Sequence, residues 1–103
     1  MAIAKSVNGK KDDSGKAKWD LVPFAQLGHI VNVLTFGAKK YSDDDWKRVT
    51  NPHGRFFSSA VRHIVSWRSG EIVDAESGLP HLAHAACCLL FLMWFDDSDI
   101  GAY

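Results

Sequence analysis

Pro80-His81-Leu82-Ala83-His84-Ala85-Ala86-Cys87-Cys88-Leu89-Leu90-Phe91-Leu92-Met93-Trp94-Phe95 is the stretch that decides the fold. A proline opens it and no Gly or Asp interrupts it before Asp96, so it predicts one continuous helix, the third of the chain. From Ala85 onward it has no polar side, and a helix that is apolar all round must be covered all round. The run from Leu82 to Phe95 is about 14 residues, short of the ~20 needed to cross a bilayer, so it predicts a buried helix and no membrane partner.

Two more helices precede it. Asn51-Pro52, a capping residue followed by proline at the first helical position, opens a second helix that ends near Arg68, before Ser69-Gly70. The first helix is predicted from about Pro23 to Phe36, with Val22, Phe24, Leu27, Ile30, Val31 and Leu34 at helical spacing on its core face and Gly37 at its exit. Between them, Ala38 to Trp46 reads as a basic turn and a short helix capped by Ser42. The fold class is therefore all-α: a small bundle of three main helices plus a short one. Two helices cannot cover the third on every side, so a homodimer or homotetramer built through the third helix is expected to complete it.

Composition sets further bounds. The first 17 residues are polar and predict a flexible arm, residues 18–97 a single helical domain, and residues 98–103 a flexible acidic tail. Twelve basic and twelve acidic residues cancel, which removes the positive field that duplex nucleic acid binders use. Cys87 and Cys88 are neighbours on a helix and cannot readily bridge one another, so a reducing, cytoplasmic setting is expected. In an apolar helix their ordinary role is packing.

The polar chemistry lies between His63 and His84. His81 and His84 share one side of the third helix. On the second helix Phe56, Ala60, His63 and Trp67 share a face, beside a polar stripe of Arg55, Ser59, Arg62 and Ser66. If the two helices pair antiparallel, His63 comes near His81 and His84 or near the loop acids Glu71, Asp74 and Glu76. Carboxylates suit Mg²⁺, and adjacent imidazoles suit Mn²⁺ as well. Glu71, Asp74 and His81 are the metal candidates; His63, His81 and His84 are the candidate proton-transfer groups, since imidazole titrates near neutral pH. Lys39, Lys40, Arg55 and Arg62 can offset phosphate charge, while Tyr41 and Trp46 can stack on a base. Each also has an ordinary structural reading: His81 as a cap, His84 as a core residue, the acids as a solvated loop, the lysines as wet surface, and the tryptophans as packing anchors.

Four blocks, in order, carry a resemblance to a known family: Lys18-Trp19-Asp20-Leu21-Val22-Pro23; Phe36-Gly37-Ala38-Lys39-Lys40-Tyr41 with Trp46; Arg62-His63 with Trp67; and Gly70-Glu71, Asp74 and Glu76-Ser77-Gly78-Leu79-Pro80-His81-Leu82-Ala83-His84-Ala85-Ala86-Cys87. Together they resemble the phage-type dATP/dGTP diphosphohydrolase N-terminal family. The resemblance implies a metal-dependent, all-helical protein similar to MazG-like pyrophosphohydrolases, releasing pyrophosphate from purine deoxynucleoside triphosphates, in the host cytoplasm if phage-encoded. The chain departs from the MazG-like pattern in having no Glu-Glu-x-x-Glu, although Glu71-x-x-Asp74 spells the partner motif. Either another His and carboxylate set holds the metal, or the protein binds nucleotide without cutting it, as a sequestering protein does. A small helical assembly protein is the third possibility.

Overall fold

The computed structural model describes residues 9–100. The expectations for the start of the arm and the end of the tail, residues 1–8 and 101–103, lie outside that range. The architecture is all-α. A 3₁₀ turn, Trp19–Leu21, leads into α1 (Phe24–Lys40); a second, Asp45–Arg48, leads into α2 (Pro52–Arg68); a folded loop then leads into α3 (His81–Ile100). Among the described residues there is no strand, only an isolated antiparallel bridge between Val73 and Pro80.

α3 is the central element, and α1 and α2 each pack on it rather than on one another. Its inner positions are small: Ala83, Ala85, Cys87 and Cys88 are buried, as is Ala60 on α2. Small residues let backbones approach closely, so α2 and α3 form a tight hairpin. It is antiparallel, with His53 of the first turn of α2 beside Asp96 near the end of α3, at 3.1 Å. On the other flank Val33 packs with Ala83 and Cys87, supported by Ile30, Leu79 and Phe91. Trp46 lies flat on Phe91 at 4.2 Å between centroids and edge-on to Trp94, which pins the α1–α2 connection to α3.

Several local expectations need correction. α1 does not exit at Gly37: the Tyr41 N–H still donates to the Gly37 carbonyl, and the helix runs to Lys40. Gly37 keeps helical backbone, so its conformational freedom is not used there. The second 3₁₀ turn begins at Asp45, not at a Ser42 cap. Asn51 does precede α2, but in the left-handed region (φ 48°) and without a side-chain capping bond. Its amide folds over the first turn instead, where a Cβ on Gly54 would sit 2.9 Å from Asn51 Nδ2 and the exposed amide would have to move aside. α3 extends past Phe95 to Ile100. Its terminal acids oppose the helix dipole, but His53 stands 3.1 Å from Asp96 and 3.6 Å from Asp99, at the positive end of α2.

The face of α1 assigned to the core is corrected as well. Only Val33 is buried, while Phe24, Leu27, Val31 and Leu34 are exposed. On α3, Leu82, Leu89, Leu90 and Met93 also face outward. No helix among the described residues is long and apolar enough to cross a membrane.

Candidate functional site

The twelve residues between α2 and α3 fold back on themselves. The Asp74 N–H donates to the Leu79 carbonyl, Gly78 N–H to the Asp74 carbonyl and His81 N–H to the Ile72 carbonyl, all at 2.8–2.9 Å. Gly78 closes this turn with φ 71°, a backbone region that other residues enter only at a cost. The loop acids are thereby held against the start of α3.

Two hydrogen-bonded chains result. In the first, Glu71 Oε1 lies 2.7 Å from His81 Nε2, and His81 Nδ1 lies 2.8 Å from His63 Nδ1. A carboxylate only accepts, so His81 donates from Nε2, and its Nδ1 then accepts from the His63 Nδ1–H. In the second, the Ser77 hydroxyl donates to Asp74 Oδ2 at 2.9 Å and accepts from His84 Nε2 at 2.7 Å and from the Leu79 N–H at 3.1 Å. Every hydrogen-bonding capacity of that hydroxyl is used. The two chains meet where the His63 and His84 rings stack, 4.5 Å apart and 9° from parallel.

His81 is the buried member of the cluster, 4 % exposed. Burial lowers the pKa of His63, and the neighbouring His84 and His81 lower it further. Burial also lowers His84, against the opposing pull of Asp74. Burial acts to raise Asp74, but hydrogen bonds from the Ser77 N–H and hydroxyl outweigh it, and its carboxyl sits below the ordinary range. The stacked His63 and His84 rings thus favour the neutral form beside an ionised Asp74.

His63, Asp74 and His81 each offer a donor atom, and these lie within 4.8 Å of one another. The set suits a divalent ion of the Mn²⁺ or Zn²⁺ type better than an all-oxygen Mg²⁺ shell. Asp74 and His81 were expected to meet Glu71 there. The structure instead brings them to His63 and sets Glu71 on the outer nitrogen of His81. That is the position of the carboxylate that orients a metal-binding histidine from behind.

His63, Asp74 and His84 form part of the wall of an open cleft of about 1170 Å³ between α1 and α2. Lys40, Tyr41, Trp46, Arg55 and Arg62 also line it; Lys39 does not. Lys40 reaches across to Glu76 at 2.5 Å, a contact that raises its pKa. Arg55 donates to the Thr50 carbonyl at 3.2 Å. Among the described residues no acid pairs with Arg62. Tyr41 is 66 % exposed, whereas Trp46 spends its ring face on Phe91. Ser77 and the Lys40–Glu76 pair are the polar contacts that sequence reading passed over. The signal for Ser77 was its place three residues after Asp74 and just before a glycine, where an aspartate side chain commonly closes a turn.

The family model for the dATP/dGTP diphosphohydrolase N-terminal region matches residues 6–102. The chain belongs to that family. It is also 32% identical over 88 residues to a dATP/dGTP diphosphohydrolase of Salmonella phage PMBT28, an alignment covering 85% of this chain and 30% of that relative. This family member therefore spans less than a third of the length of the relative it matches. No solved structure matches it. Within the family region fall both hydrogen-bonded chains and the whole cleft.

Proposed function

We propose that the chain provides the divalent-metal and nucleotide site for hydrolysis of purine deoxynucleoside triphosphates, dATP or dGTP, to monophosphate and pyrophosphate. The observation that carries this reading is the pair of imidazole Nδ1 atoms 2.8 Å apart, with Asp74 beside them on the wall of a cleft that carries Lys40, Arg55 and Arg62. His63, Asp74 and His81 would hold the ion, Mn²⁺ or Mg²⁺, with the His63 proton moved from Nδ1 to Nε2 so that both facing Nδ1 lone pairs are free. When bound, it would lower the pKa of a water and draw charge from phosphate oxygens.

The chain's own residues do the rest. Arg62 meets the polyphosphate, with Arg55 as a second cation, and the exposed Tyr41 ring offers a surface for the base. A phosphate that attracts Lys40 separates it from Glu76. The freed Glu76 carboxylate is then the proton acceptor on the cleft wall as water attacks phosphorus and the bond to the pyrophosphate oxygen breaks. His84 donates from Nε2 to Ser77, so it holds position and stacks on His63 rather than taking a proton at that atom.

A second reading, binding without cutting, is favoured by one observation: the cluster contains a single carboxylate, where two-metal hydrolases use several to hold a pair of ions. Incubation with dATP, dGTP and the ribonucleotides plus Mn²⁺ or Mg²⁺, with and without EDTA, separates the two. Metal-dependent monophosphate and pyrophosphate are expected, with Asp74→Asn lowering turnover by about 100-fold. Intact nucleotide that is nonetheless retained by the protein would establish the second reading.

A further inference from the structure

The cations of the cleft are not spread evenly over its walls. Arg55, Ser58 and Arg62 follow at i, i+3 and i+7 on α2, so they stand in one line along the helix, and all three line the cleft. Seven residues of helix set the two arginines about 10 Å apart. Their side chains do not converge. The Arg55 guanidinium donates to the Thr50 carbonyl at 3.2 Å and to the Thr50 hydroxyl at 3.4 Å, which draws it toward the start of α2 and away from Arg62. Neither arginine forms a salt bridge among the described residues, whereas Asp45 is held by Arg48 and Glu76 by Lys40.

The two ends of this line differ. His63 follows Arg62 directly and belongs to the donor set with Asp74 and His81, so Arg62 stands at the metal end and Arg55 two helical turns from it. A guanidinium grips phosphate oxygens through paired N–H donors. Two of them held apart match an anion that reaches from one to the other, which linked phosphates do and a single phosphate does not.

We infer that this line reads the length of the phosphate chain: Arg62, beside the metal donors, takes the phosphate that carries the nucleoside, and Arg55 takes the terminal phosphate of a triphosphate. The inference rests on the nucleotide reading above and adds a direction to it. Release of pyrophosphate requires attack on the phosphorus that carries the nucleoside, so that phosphorus belongs at the metal end. The other two phosphates then run along α2 toward Arg55, and a diphosphate held the same way ends short of it. The nucleoside lies on the opposite side, where the Tyr41 ring is exposed and stands 5.4 Å from Lys40 Nζ, itself bonded to Glu76 of the loop. The reverse direction would send the base toward Phe56 and Trp46, whose ring faces are spent on Phe91.

Calorimetric titration of the full chain with the non-cleavable α,β-methylene analogues of dGTP and dGDP, in the presence of Mn²⁺, tests it. The wild type is expected to prefer the triphosphate analogue by about 10-fold or more. Arg55→Ala is expected to weaken the triphosphate analogue alone by about 10- to 100-fold, and Arg62→Ala to weaken both analogues. Equal affinity of the wild type for the two lengths would overturn the inference, as would an Arg55→Ala loss shared by both lengths or an absence of binding. Neither analogue can be cut at the bond in question, so a chain that binds without hydrolysing gives the same pattern, and the failure of hydrolysis stays distinct from the failure of this inference. Should the alanine variant lose its helical circular dichroism, Arg55→Gln, which keeps a long polar side chain without the charge, repeats the comparison.

Discussion

At the scale of the residue, the site depends on a few groups whose hydrogen bonds admit one assignment. Ser77 is the clearest, since its hydroxyl links Asp74 to His84 and also accepts from the backbone. Ser77→Ala leaves the part-buried His84 N–H without that acceptor and is expected to cost about 1–3 kcal/mol in urea denaturation. Glu71 acts through His81 and touches no other member of the cluster. Glu71→Gln is therefore expected to weaken Mn²⁺ binding by about 10- to 100-fold in calorimetric titration while leaving the fold intact; unchanged affinity would remove Glu71 from the site. Cys87 supplies a pH test away from the cleft. Burial, with Cys88 beside it, pushes its thiol up to about 12 from an ordinary value of 9.0. The folded chain thus holds the proton that the unfolded chain releases, so this contribution to stability is complete below pH 9 and lost as pH rises from there toward 12. Alkylation at mildly alkaline pH should accordingly be slow in the native protein and fast in denaturant.

At the scale of the element, the long helices were legible because their signals are local. Asn51-Pro52 and Ser69-Gly70 bound α2, and the start of α3 falls one residue after Pro80. The meeting of His63 with His81 and His84 was legible too, because antiparallel helices joined by a short loop leave few other arrangements. The fold of the loop was not: its bridge between Val73 and Pro80 joins residues with no strand-like alternation around them. That bridge turns Glu71 away from Asp74 and brings Ser77 inward, which no spacing rule announces. The end of α1 was misread because glycine is common just past a helix, and a glycine that continues the helix looks the same in sequence. Gly78 is the element's weak point. With φ 71°, Gly78→Ala is expected to cost about 1–2 kcal/mol and to loosen the loop, read as faster amide exchange at His81.

At the scale of the whole molecule, the described helices leave much apolar surface uncovered. Large apolar side chains remain exposed on all three helices, among them Phe24, Val65 and Leu89. A fold that relies on a partner for part of its core melts at a temperature that rises with protein concentration. That dependence is expected in a thermal scan over a dilution series, and a melting temperature independent of concentration would show that no second copy covers these faces. The sequence announced the shortage of cover through the all-apolar α3. It could not say that α1 would present its own apolar face outward, because the pattern marks a face for burial without naming what buries it.

The two walls of the cleft stand on α3 and are joined at the rim by Lys40 and Glu76, so the molecule is built like a calliper. Its pivot is the contact of Val33 with Ala83 and Cys87, three side chains of modest size, and the tilt of α1 there sets the aperture between the jaws. One methyl group more or less at Ala83 would change that tilt without touching any polar atom. The width of the cleft is therefore written in the packing beneath it as much as in the groups that line it.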